Sequence, residues 1–145
     1  MDLTSSRTLK KKCGFNQCYV RGLITVGSKI NYEKYGISKA RYEELRAFCM
    51  QYSEYKTRRR QLRSGVVSVS SESAETEVKI LGEKISLIEH CVKLACAHAP
   101  GVYKYLLRNV TEPDCGYNLL LPPIEKNSFY KLRKDFFILL NKSKK

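Results

Sequence analysis

The sequence predicts a mostly α-helical protein: a helical N-terminal unit joined to a C-terminal helical bundle whose last helices are helix-turn-helix-like. Two observations predict it. Apolar residues recur at three- and four-residue spacings in several long stretches, which is helical rather than strand periodicity. Gly, Pro and Ser clusters separate those stretches and mark where each helix must stop.

Residues 1–30 form an irregular basic N-terminal segment without periodicity. Within it, Tyr19, Val20, Leu23, Ile24 and Val26 leave room for a short strand, interrupted by Gly22. Residues 31–63 form a basic helical unit. Gly36 breaks the preceding chain, and Ser38 can cap a helix by accepting hydrogen bonds from its first free N–H groups. Ile37 and Tyr42 fall at hydrophobic-staple positions. Tyr42, Leu45, Phe48, Cys49 and Tyr52 then share one side of a helix that runs on toward Arg58, Arg59 and Arg60.

Residues 64–76 are rich in serine and lack a long apolar face. They read as a flexible linker, with a short strand through residues 66–69 as the alternative. Residues 77–145 form the C-terminal helical domain. Its first helix runs from about Glu75 to Cys96, with Leu81, Ile85, Ile88, Val92 and Ala95 as its stripe. Glu75 and Glu77 favour its positive N-terminal end, and Ala99-Pro100-Gly101 ends it.

A shorter helix follows over residues 102–109, and residues 117–121 allow one more helical turn before Pro122-Pro123. The last helix starts at Asn127 or Ser128 and runs to about Leu140. Phe129, Leu132, Phe136, Leu139 and Leu140 form its inner side. Asn127, Tyr130, Lys131, Lys134 and Asn141 form its outer side. Ile138 falls on the outer side and is expected to meet the N-terminal unit or a partner.

The chain of 145 residues carries a formal net charge of +13, unevenly placed. Residues 1–63 hold +10, residues 64–98 hold −2 and residues 99–145 hold +5. Such an excess points to nucleic acid, an acidic protein or an anionic surface as partner. No apolar run reaches the ~18 residues needed to cross a bilayer, so no membrane partner is expected. Residues 1–12 are basic without an apolar stretch behind them, so a cytoplasmic location with free thiols is expected for the six cysteines.

No catalytic constellation is evident. The sequence has no phosphate-binding glycine loop and no nucleophile elbow, and its only histidines are His90 and His98. Glu43 and Glu44 point ~100° apart on a helix and do not converge on one metal ion. Cys13 with Cys18, and Cys91 with Cys96 and His98, are the candidate zinc ligands by type, but Cys91 and Cys96 diverge on a helix. No metal, no cofactor and no enzymatic activity are expected.

The basic clusters carry the functional expectation. A DNA-binding helix needs one exposed face that reaches phosphates and bases and one face anchored in a core. The last helix has that layout. Lys131, Lys134, Tyr130, Arg133, Asn127 and Ser128 are the expected DNA contacts, with the free N–H groups at its start assisting. Arg58, Arg59 and Arg60 are expected to attract phosphates without reading sequence.

Two stretches carry a resemblance. They are YGISKARYEELRAFCMQY at residues 35–52, and VTEPDCGYNLL at 110–120 leading into FYKLRKDFFILL at 129–140. Over roughly residues 32–142 the chain resembles small proteins encoded in prophages of Gram-positive, mainly clostridial, bacteria. Its C-terminal half is similar to phage late-gene transcription activators of the ArpU and RinA type, which end in a sigma-factor-like helix-turn-helix. The resemblance implies a phage-borne, cytoplasmic, DNA-associated regulator and offers no catalytic residues to carry over, with duplex DNA as the expected partner. The rival expectation is a phage protein-interaction module that binds and inhibits a host nucleoprotein.

Overall fold

A computed structural model describes residues 30–144. The chain divides into two units, Met1–Asn31 and Tyr32–Lys145. The irregular basic segment, its short strand and Cys13 with Cys18 lie outside the described residues. The second unit is mostly α-helical, as the periodicities predict.

A 3₁₀ turn at Tyr32–Tyr35 is followed by α1 (Lys39–Met50), α2 (Tyr52–Ser64) and α3 (Ser71–Ala95). A second 3₁₀ turn, Pro100–Val102, leads into α4 (Tyr103–Thr111), α5 (Tyr117–Leu120) and α6 (Lys126–Ser143). Helix α3 packs against α2, α4 and α6, and α6 also touches α1 and α4. One apolar core runs through all of them, from Ile37 to Leu140.

Ser38 is the N-cap of α1: its hydroxyl accepts from the Arg41 N–H at 3.1 Å. Ile37 beside it is fully buried and Tyr42 packs on the core. The single helix expected from Ser38 to the arginine run is in fact two, bent at Gln51. The apolar pattern explains the bend. At ~100° per residue, Leu45 and Cys49 lie about 110° around the axis from Tyr55 and Leu62. The break lets α1 turn its pair toward α4 and α6 and α2 turn its pair toward α3.

Residues 64–76 are not a flexible linker between two domains. Only residues 65–70 connect α2 to α3, no strand forms among the described residues, and both helices belong to one unit. The serines act as helix-start chemistry. Ser70 caps α3 by accepting from the Ser73 N–H at 3.2 Å, and Glu72 sits in the first turn. Gly65 closes α2 in the left-handed conformation, φ 74°, and Val66 N–H returns to the Gln61 carbonyl at 3.3 Å.

The inner side of α6 also differs from expectation. Phe129, Phe136, Phe137 and Leu140 are fully buried, whereas Leu132 and Leu139 are only partly so. Ile138 is partly buried against the same core. The outer-side Asn141 accepts from Arg41 Nε at 2.8 Å, which ties the end of α6 to the start of α1.

Candidate nucleic-acid interface

The expected contacts fall into two groups once the fold places them. Helix geometry separates adjacent residues by ~100°, so Arg58, Arg59 and Arg60 leave α2 in three directions. Arg58 turns to α3 and holds Glu77 through Nε at 2.8 Å and Nη2 at 3.2 Å. The Arg58 guanidinium holds the Glu77 carboxyl below its usual range, mainly by these hydrogen bonds. Arg59 is half-buried over Gly82 of α3, where its Nη1 would lie 3.6 Å from an added Cβ. Only Arg60 faces solvent.

Arg60 has exposed neighbours that are not among the expected contacts. Lys56 and Arg63 lie four residues before and three after it, on the same face of α2, and both are exposed. No carboxylate comes within ion-pair distance of Lys56, Arg60 or Arg63 among the described residues. Lys56 rests over the Tyr52 ring at 5.1 Å, which extends its stem along the helix.

On α6, Asn127 and Ser128 occupy the exposed first turn, and Glu125 before them gives no side-chain cap. Lys131 is exposed and has no carboxylate partner among the described residues. Lys134 is held down: it is 3.9 Å from Asp135 and lies over the Tyr35 ring at 5.1 Å. Tyr130 is half-buried, edge-on to Phe129.

Arg133 is turned the other way. Its Nε donates to Asn109 Oδ1 at 2.8 Å and its Nη1 to the Tyr42 hydroxyl at 2.9 Å. The guanidinium carbon is 5.0 Å from the Phe137 ring centre and 6.0 Å from that of Tyr42. Tyr32 stacks on Tyr42 at 4.5 Å and closes the same aromatic cluster. Asn109, itself buried, gives its Nδ2 protons to the Cys115 carbonyl at 2.7 Å. Arg133 is thus a bolt joining the first 3₁₀ turn, α1, α4 and α6, and its Nε and Nη1 donors are committed inward.

The remaining chemistry is quiet. Among the described residues no three His, Cys, Asp or Glu side chains gather as a metal site. Cys91 and Cys96 are buried on and at the end of α3, while His98 is exposed. Burial pushes the Cys49 thiol up to about 12 and that of Cys96 up to about 11, so both stay protonated and unreactive near neutrality. No helix among the described residues is long and apolar enough to cross a membrane.

Compared with protein-family models, curated proteins and solved structures, the chain matches none of them.

Proposed function

We propose that the protein is a non-enzymatic DNA-binding protein, a phage or prophage transcription regulator acting on duplex DNA. The observation that carries this reading is the row Lys56, Arg60 and Arg63 on one exposed face of α2, with no carboxylate at ion-pair distance among the described residues. Cations of that kind are free to displace condensed counterions from a phosphate backbone. The exposed start of α6, with Asn127, Ser128 and Lys131, supports a second contact. The resemblance of residues 32–142 to prophage proteins supports the regulatory setting.

Titrating a labelled duplex with the protein across a salt series tests the reading. Affinity is expected to fall steeply with salt, with a log–log slope of about −0.9 per phosphate contact. Absence of binding at low salt overturns it.

A second reading, a protein-interaction module that engages a host nucleoprotein, is favoured by a different observation. Leu119 in α5 and Leu121 at its C-cap are 67% and 70% exposed. A partner held there would be retained at high salt.

A further inference from the structure

We infer that the cleft between α2 and α4 is the seat for the sugar–phosphate backbone of the bound duplex. This rests on the DNA-binding reading and extends its α2 contact across to α4. The cleft has a volume of about 360 Å³ and is open to solvent rather than enclosed. Tyr52 and Leu107 contribute to its walls, with Tyr52 buried and its hydroxyl donating to Glu89.

The polar lining is what selects the ligand. Lys56 and Arg60 enter from α2 and Arg108 from α4, while Glu112 is the sole lining carboxylate. Glu112 is already engaged. Arg108 Nε and Nη2 approach its oxygens at 3.3–3.4 Å, and the Cys115 thiol donates to it at 3.3 Å. The Arg108 hydrogen bond keeps that carboxylate ionised by holding it below its usual range. With three cations against one carboxylate, the cleft keeps a cationic surplus at neutral pH.

The pair with Glu112 also fixes Arg108. Its Nη1 makes no hydrogen bond among the described residues, so its protons remain available to an incoming oxygen. The exposed hydroxyls of Ser53 and Thr57 lie one helical turn apart on the α2 wall and add neutral donors. A guanidinium, a lysine and hydroxyl donors around an open slot are the contact types that hold phosphates without reading bases. A row of exposed cations alone would give a diffuse attraction. The cleft adds a second wall, on a different helix, facing the same space.

The test uses the full chain and a labelled duplex, with binding measured across a salt series. The variants are Lys56→Gln/Arg60→Gln together, Arg108→Gln alone and Lys131→Gln as comparison. Removing the α2 pair is expected to weaken binding at every sequence and lower the salt slope by about 2, and Arg108→Gln to lower it by about 1. Lys131→Gln is expected to lower it by less than Arg108→Gln. Circular dichroism confirms that each variant is folded. As a second readout, addition of a short duplex is expected to shift the backbone amide resonances of Thr57 and Thr111 ahead of those in α6. If the wild type binds but the cleft variants match it, the cleft assignment falls and the DNA-binding reading stands. If the wild type fails to bind at low salt, both fall.

Discussion

Replacing Arg133 by Ala separates a structural bolt from a DNA contact. The residue makes two charge-assisted hydrogen bonds, to Asn109 and Tyr42, and faces the rings of Tyr42 and Phe137. Hydrogen bonds to a charged group contribute about 1.5–3 kcal/mol each. Against that stands the desolvation of a guanidinium with no carboxylate beside it, a penalty of several kcal/mol that the alanine removes. The alanine in turn leaves Asn109 Oδ1 and the Tyr42 hydroxyl without their donor, at about 1–3 kcal/mol each, and opens a void beside Phe137. The balance is a loss of about 3 kcal/mol. At roughly 4 °C per kcal/mol for a unit of this size, the thermal midpoint falls by about 12 °C. Denaturant unfolding followed by circular dichroism measures the loss. Arg133→Met keeps most of the volume and is expected to cost less than Arg133→Ala. A stability change within ~0.5 kcal/mol, the range of an ordinary surface substitution, together with a lower salt slope for DNA, would refute the inward assignment.

The same geometry sets three more outcomes. Phe136→Ala, removing a fully buried ring of α6, is expected to cost about 3–5 kcal/mol, read from the shift of the denaturation midpoint. Gly65→Ala places a Cβ at φ 74° and is expected to cost about 1 kcal/mol by the same measurement, although open space surrounds the position. Raising the pH should destabilise the fold. The Cys49 and Cys96 thiols are held up to about 12 and about 11 when folded, so the unfolded chain ionises first. Stability fully present below an unfolded thiol pKa of ~8.5 is lost progressively from there toward 11–12. A pH series of unfolding free energies checks the sign, and thiol labelling at pH 8 should reach these two only after denaturant is added.

The helices were largely legible because each has a local cause. Ser38 caps α1 and Pro100 follows the end of α3, both visible as residue types at the right spacing. The serine run misled because composition does not distinguish a flexible serine from a capping one. What decides is Ser70 accepting from Ser73 N–H just before the α3 stripe begins. The bend at Gln51 was present in the sequence as a shift of the apolar stripe between Cys49 and Tyr55. It is invisible when each stripe is followed separately. The α2–α4 cleft was not legible, because Arg108 comes to face Lys56 and Arg60 only through the packing of helices distant in sequence.

The inward turns of Arg58, Arg59 and Arg133 have one origin, and it changes how a basic chain is to be read. Phe129, Arg133, Phe136, Phe137 and Leu140 fall within about 100° of arc on α6, with Arg133 near its centre. A cation in the middle of an apolar stripe has to be paired with hydrogen-bond acceptors or aromatic faces, because an unpaired buried charge is costly. The stripe thus announced an inward Arg133, with Asn109 and Tyr42 as the kind of partners required. On α2 the same rule works in reverse. Arg58 and Arg59 lie toward the α3 side, and Arg60 lies with Lys56 on the far side. Net charge ranks all of these residues alike. Their angle to the nearest apolar stripe divides them into cations used by the fold and cations left exposed, and by that criterion the weight of the proposed interface shifts from α6 to α2.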